Sequence, residues 1–472
     1  MCIRDSSKVS SDGKTLRPAY LVWDLKKLFP KLVVTEEEAL LMTQRELTPG
    51  EGLEFVIRGV RDRYLGVDES WKELYTWYRQ NEGQKVDRIL DAGFFKKKPD
   101  ALTGEEAAEL YGEKKQFSVT RMERFSACAY AHFLTYGLHL SDRERYEFEA
   151  MDLGNIAHQS MERFARKAQE KRMPWPKLEE VQRDAMIEES VEESIKDYGN
   201  TVLYSTARNE YMIVRIKQLI RRSVWALTRQ MEKGDFEPSG YEMNFGSGKI
   251  DRVDTCEDED VVYVKVTDYK TGMKSFDIVA LYHGLQMQLP VYLNAALELE
   301  ERRASGKTVE PAGIFYYRIK DPIVDREKDD HALEEKILKE LRLDGMINAK
   351  EEVIEHLEHQ LSGTSVLNPI GKNKDGSLNR YSKVLPPEAF AAMLSYTKKK
   401  EARVKRQIYA GEVQANPYEL NGSTGCDYCA YRDICGFDPR LDGYAYRSLE
   451  KYSKEEVIRR MEEEIENREE PS

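Results

Sequence analysis

Cysteine is scarce in this chain, with six in 472 residues, too few for a disulfide-dense secreted scaffold. No apolar run approaches the length of a membrane span, and the N-terminus has no signal-peptide core, so no membrane role is expected and the cytoplasm is the default compartment. Net positive charge is also missing. A formal charge of −12 argues against a protein that coats nucleic acid, but leaves room for one that threads a strand through a local basic channel. There is no internal repeat. A usable ATP loop is lacking too: Gly246-Ser247-Gly248-Lys249 ends like a phosphate-binding loop. However, Met243 stands where its first glycine belongs, and Ile250 where its metal-binding Ser or Thr belongs.

The composition that is present, 40% hydrophobic and 33% charged with a mean hydropathy of −0.66, fits a helix-rich intracellular protein with a sizeable core. Residues 17–29 pattern as a strand or helix with no proper domain start, as if the chain begins in the middle of something. Helices are expected at 36–48, 51–65 and 68–80, then a charged, Pro-broken linker near 100–115. Ser118 is a plausible N-cap for a helix over 121–134, and further helices follow at 152–171, 177–197 and 206–233. From Gly240 the texture changes: 241–246, 249–255 and 261–269 read as an antiparallel meander. A helix over 281–302, a strand over 313–319, a helical stretch over 331–361, an irregular loop over 363–384, a basic helix over 386–410 and a charged helix over 453–469 complete the reading. Basic clusters at Lys96–Lys98, at Arg215/Lys217/Arg221/Arg222 and at Lys398–Lys400 with Arg403, Lys405 and Arg406 each read first as solvated helix faces.

The chemistry concentrates in Gly248-Lys249-Ile250-Asp251-Arg252-Val253 and Val266-Thr267-Asp268-Tyr269-Lys270-Thr271-Gly272. Asp251 and Asp268 on adjacent strands can share a hard divalent cation. Lys270, two residues on, points to the same side as Asp268 and can hold an attacking water while a metal stabilises the phosphorane. The competing reading is a salt-bridged exposed hairpin, weakened because Asp268 ends an apolar run where an unpartnered carboxylate is costly. Gly154, His158 and Glu162 share one helix face; imidazole and carboxylate there could complete a metal sphere, although His158 alone would read as structural. Gln288 and Tyr292, also i and i+4, offer an amide and a phenol to a phosphate or base. Cys426-x2-Cys429-x5-Cys435 is a tight thiolate set whose best fourth ligand is Cys128. Its spacing suits zinc somewhat better than an iron–sulfur cluster. Cys2 and Cys256 look incidental.

In this order, the motifs resemble the RecB-type nucleases of the PD-(D/E)XK superfamily in their iron–sulfur-stapled form. Within these, Ser118–Glu123, Phe133-x2-Tyr136-Gly137-Leu138 and Pro311–Tyr317 look like the AddB family, the B subunits of bacterial helicase–nucleases. The resemblance is strong over 116–445. It implies an α/β fold: a PD-(D/E)XK nuclease core with a small mixed sheet flanked by helices, helical additions and a C-terminal cluster-binding loop. Residues 1–115 would be the end of a helicase-like region plus linker, and 446–472 a charged helical tail. It implies a [4Fe-4S] cluster on Cys128, Cys426, Cys429 and Cys435, against the preference from spacing alone. It also implies Mg²⁺-dependent DNA cleavage with His158, Asp251 and Asp268 as metal ligands, Lys270 at the water, and Gln288 and Tyr292 on the DNA strand. The expected partner is an AddA-type motor protein in a heterodimer that resects double-strand breaks for recombinational repair, with this chain cutting the 5′-ended strand. The chain would then be a C-terminal fragment lacking most of the helicase-like part. Ala129 stands where a proline often follows the first cluster cysteine. Two other functions fit less well: a stand-alone iron–sulfur exonuclease of the CRISPR-adaptation type, and a non-catalytic DNA-end-binding module.

Overall fold

A computed structural model describes residues 20–33, 48–62, 69–93, 101–112, 117–141, 150–198, 204, 206–246, 248–304, 306–327, 329–441 and 443–466. The helix expected over 36–48 lies almost wholly outside these residues, and Cys2 and the Lys96–Lys98 cluster lie entirely outside them. The chain divides into two compact units, 1–97 and 98–472.

In the first unit, α1 (Tyr20–Leu28), α2 (Pro49–Asp62), α3 (Trp71–Asn81) and α4 (Gly83–Gly93) are helical. Val56, Tyr78 and Val86 form its small core.

The second unit opens with α5 (Gly104–Tyr111), where a linker was expected. Thr103 and Glu106 form a reciprocal capping box, which satisfies the first free backbone donors, and Ala107 and Tyr111 are buried in the main core. Ser118 caps α6 (Val119–Ala127) as expected, accepting from Arg121 N–H. The helix predicted to continue to 134 is interrupted: Cys128 is extended (φ −165°, ψ 119°), and α7 (Ala129–His132) restarts beyond it and runs into a π-turn. Then come α8 (Ala150–Glu170), α9 (Glu180–Asp197) and α10 (Ala207–Met231).

The meander is present as β1 (Glu237–Phe245), β2 (Gly248–Asp258) and β3 (Val261–Lys270), antiparallel throughout. The single helix expected over 281–302 is two: α11 (Ile278–Tyr282) and α12 (Gln288–Glu301). Pro290 is the reason, since it is tolerated in a first turn but its ring would collide with the carbonyl of residue 286 in a continuous helix. This pair makes the crossover that lets β4 (Thr308–Arg318) run parallel to β3. The helical stretch expected over 331–361 contains a strand, β5 (Asp344–Asn348), between α13 (Asp330–Glu340) and α14 (Glu351–Leu357). A Cβ on Gly345 would lie 1.9 Å from Ile314 O, so only glycine allows β5 so close to β4. With β6 (Val384–Leu385) this gives a six-stranded mixed sheet in the order β1 to β6. α15 (Pro387–Tyr409) follows. The remainder is a small sheet of β7 (Tyr418–Leu420), β8 (Ser423–Thr424) and β9 (Arg447–Ser448), with α16 (Arg432–Cys435) and α17 (Lys454–Glu466).

Helices cover both faces of the main sheet, the α/β architecture expected. One core joins Val262, Val264 and Val266 of β3 to α6, α12, α15 and α17; the other joins Tyr263 and Tyr269 to α8, α9 and α10. Strand alternation therefore carries Asp268 and Lys270 to the α12 side. The charged tail helix is not peripheral, because Val457 and Met461 are fully buried in the first core. Among the described residues, no helix is long and apolar enough to cross a membrane.

Candidate active site and cysteine cluster

Arg252 pairs with Thr267 across β2 and β3, so the next residues outward, Asp251 and Asp268, lie at one end of the hairpin. Tyr269 N–H donates to Asp251 Oδ2 at 2.7 Å, locking the two strands there. Asp268 is 1% exposed. Its Oδ1 accepts from Gln288 Nε2 at 2.8 Å, and its Oδ2 is 2.5 Å from Lys270 Nζ. Gln288 also donates to Tyr292 OH at 3.0 Å, so Asp268, Lys270, Gln288 and Tyr292 form one connected polar group. His158 on α8 brings Nδ1 to 3.3 Å from Asp251 Oδ2. Gly154 permits this: a Cβ there would already be 3.2 Å from Thr271 Oγ1 at the end of β3.

The charges set the electrostatics. Burial, reinforced by Asp268, holds the Asp251 carboxyl well above the usual carboxylate range. Burial lowers His158, partly offset by Asp268, so the imidazole is neutral and free to act as a ligand. Tyr316, whose hydroxyl has no hydrogen-bond partner among the described residues, is pushed up by burial and then by Asp268. Lys270 and Lys274 lie 5.8 and 5.0 Å from its ring centroid.

Two carboxylates escaped the sequence reading. Glu242 on β1 joins His158 and Asp251 in a group whose ligand atoms all lie within 4.8 Å of one another. Its backbone is left-handed (φ 46°), a strained state for a non-glycine residue. Burial, then Glu162, raises its pKa. The available signal was a lone acidic residue inside a strand of the meander. Glu162, expected beside His158 as a ligand, instead pairs with Arg166 at 2.6 Å. Glu123 on α6 accepts from the N–H groups of Met287 and Gln288 at 2.7 and 3.0 Å, fixing the start of α12 and hence the Gln288 side chain. Nothing local in the sequence marks it.

The oxygen and imidazole donors of His158, Glu242 and Asp251, with Asp268 beside them, suit a hard divalent cation. Asp268 is not part of the tight three-residue group; its oxygens face Lys270 and Gln288.

Cys128, Cys426, Cys429 and Cys435 line one cavity with Tyr130, Pro417 and Phe437. All four are free thiols, and burial raises Cys128 and Cys426. Protein contacts hold the cavity walls together. Ala129 N–H donates to Asn416 Oδ1 at 3.0 Å, and Tyr431 OH to Leu140 O at 2.7 Å. Four thiols around one space fit a tetrathiolate metal centre.

The basic clusters expected as solvated faces are largely ion-paired. Lys217 meets Glu188 and Glu192, Arg222 meets Asp321, Lys398 meets Glu298 and Arg403 meets Glu464.

A mixed sheet between helical layers, with paired strand carboxylates, a lysine two residues on and a helix histidine, defines a nuclease: the chain belongs to the PD-(D/E)XK nuclease superfamily, whose profile matches residues 116–436. Over nearly its whole length it is similar to proteins named as the B subunit of an ATP-dependent helicase/deoxyribonuclease. The one from Lachnoclostridium phytofermentans is 36% identical over 96% of this chain and 41% of its own length. Those from Alkaliphilus oremlandii and Caldanaerobacter subterraneus are each 32% identical, over 97% and 95% of this chain. These names agree with the resemblance drawn from the motifs. The chain spans about two fifths of the length of these curated relatives.

Proposed function

We propose that this chain carries the Mg²⁺-dependent DNA-cleaving module of a cytoplasmic helicase–nuclease. The observation that carries the reading is the ion pair of Lys270 with Asp268 at 2.5 Å, beside an Asp251 held protonated by its surroundings until a cation replaces the proton. His158, Asp251 and Asp268 would hold the ion, with Glu242 close by. When bound, Mg²⁺ supplies the positive charge that stabilises a pentavalent phosphorane. The chain's own groups do the rest. The Lys270 ammonium positions a water on the Asp268 side and helps withdraw its proton. Gln288 fixes one Asp268 oxygen, and with Tyr292 it meets the DNA strand. The low dielectric around Asp268 strengthens each of these contacts.

The four-thiol cavity supports a [4Fe-4S] cluster that holds the domain closed without taking part in cutting. The names of the relatives support an AddA-type motor as partner in a heterodimer, end resection as the task and the 5′-ended strand as the substrate. The test is a nuclease assay on end-labelled single- and double-stranded DNA with Mg²⁺. Asp268→Ala should reduce cleavage to background while leaving the circular dichroism spectrum unchanged; wild-type activity in this variant would refute the assignment.

A further inference from the structure

At the opposite end of β2 from Asp251, a second set of donor groups converges from three parts of the chain. Asp235 lies in the turn before β1, Cys256 and Asp258 lie near the β2–β3 turn, His356 ends α14 and His359 follows just beyond it. One ligand atom from each of Asp235, Cys256 and His356 lies within 4.8 Å of the others. Asp235 Oδ2 is 2.8 Å from His356 Nδ1 and 2.7 Å from His359 Nε2. The other ring nitrogen of His356 is 3.5 Å from Asp258 Oδ2. The run of strand from Asp251 to Cys256 is roughly 17 Å, so this set is separate from the nuclease centre.

The backbone is built to bring these groups together. Asp235 N–H donates to His356 O, and His359 N–H to Lys233 O, both at 2.8 Å. A Cβ on Gly234 would lie 2.4 Å from His356 O and 2.6 Å from Leu357 O, so only glycine permits this approach. The Tyr263 ring lies 5.8 Å from the imidazole of His356.

An imidazole–carboxylate network would account for Asp235, Asp258 and the two histidines, but not for Cys256. Its side chain is 3% exposed and sits against the same carboxylate and imidazole. A thiol buried merely as a small hydrophobe gains nothing from such neighbours. A borderline-soft cation makes all of them ligands.

We propose that Asp235, Cys256, His356 and His359 form a structural zinc site. Zinc takes this mixture of sulfur, nitrogen and oxygen donors in a four-coordinate shell, whereas magnesium takes oxygen. His356 binds through the nitrogen facing Asp235, and Asp258 receives the proton on the other, which fixes the ring's tautomer and orientation. All four positions are filled by protein, so the ion clips the start of β1, the β2–β3 hairpin and the end of α14 and does no chemistry.

The test uses the full chain, stripped with chelator and titrated with Zn²⁺ alone, comparing wild type, His359→Ala and Cys256→Ser. His359 is half exposed, so its removal spares the fold. All three proteins keep Cys128, Cys426, Cys429 and Cys435, so zinc held there cancels in the comparison. Wild type should bind one zinc equivalent more than either variant and gain thermal stability on binding. Co²⁺ in place of zinc should give a thiolate charge-transfer band that Cys256→Ser lacks, while Mg²⁺-dependent cleavage by His359→Ala stays at the wild-type level. Equal zinc content in all three proteins, with no change in melting on zinc addition, would overturn the proposal.

Discussion

At the scale of single residues, His132 shows how burial turns a side chain into a pH liability. It is fully buried, and its Nε2 accepts from Arg121 Nε at 3.0 Å. Burial, followed by the Arg121 charge, lowers its pKa from 6.5 to about 3. Above pH 6.5 the imidazole is neutral both folded and unfolded, and the group has no effect on stability. As pH falls below 6.5, the unfolded chain takes up a proton that the folded chain refuses, so stability declines by about 1.4 kcal/mol per pH unit. That decline continues until the folded pKa near 3 is reached. Glutamine keeps a neutral acceptor for Arg121 at every pH. Between pH 7 and 5, urea unfolding of the wild type should therefore lose about 2 kcal/mol more than that of His132→Gln; parallel pH profiles would contradict the burial argument. The same scale shows what residues reveal in sequence. Asp268 and Lys270 were legible because a strand's period of two fixes their common side. Glu123 was not, because its partners, the N–H groups of Met287 and Gln288, are far along the chain. Glu162 misled because an i, i+4 relation exists in both directions: it turned towards Arg166 and away from His158.

At the scale of elements, the β2–β3 hairpin carries the acidic pair on one side and an ion network on the other. Arg252, 1% exposed, donates from Nε to Asp254 Oδ1 at 2.6 Å, and Lys265 Nζ is 3.3 Å from Asp254 Oδ2. The Arg252 guanidinium lies 5.2 Å from the Trp175 ring centroid. Two buried cations thus depend on one carboxylate. Burial lowers the Lys265 pKa despite the Asp254 charge, which shows how little surplus attraction the network holds. Asp254→Asn keeps the shape but removes the only counter-charge of this trio, so it should cost about 3–5 kcal/mol in denaturant unfolding. A loss below 1 kcal/mol would mean that water reaches Arg252 and Lys265. Sequence periodicity captured the meander because its apolar alternation is strong. It missed β5 and the break between α11 and α12, where the deciding facts are a glycine pressed against another strand's carbonyl and a proline admissible only in a first turn. Those constraints are tertiary, and an apolar pattern averaged over a window does not contain them.

At the scale of the molecule, the nuclease unit is closed by segments remote in sequence. The C-terminal loop bearing Cys426, Cys429 and Cys435 meets Cys128 at the break between α6 and α7, and a Cβ on Gly425 would stand only 2.9 Å from Ala127 O. The interruption of the helix at Cys128, the one place where its prediction failed, is what turns that thiol towards the cavity. Hydrogen bonds from Ala129 to Asn416 and from Tyr431 to Leu140 hold the contact without any metal, so a cluster would reinforce a closure already encoded in the backbone. Removing one ligand should then weaken the unit without altering the Asp251/Asp268 end of the hairpin. Cys435→Ser, purified anaerobically, should be colourless where the wild type is brown and should melt roughly 5–10 °C lower. Per folded molecule, its single-turnover cleavage of single-stranded DNA below the melting range should stay within about twofold of wild type, since a ligand that acts only through folding lowers the amount of enzyme and not its barrier. A brown Cys435→Ser protein of unchanged stability would remove Cys435 from the ligand set. A stable but inactive one would place the cluster in the chemistry.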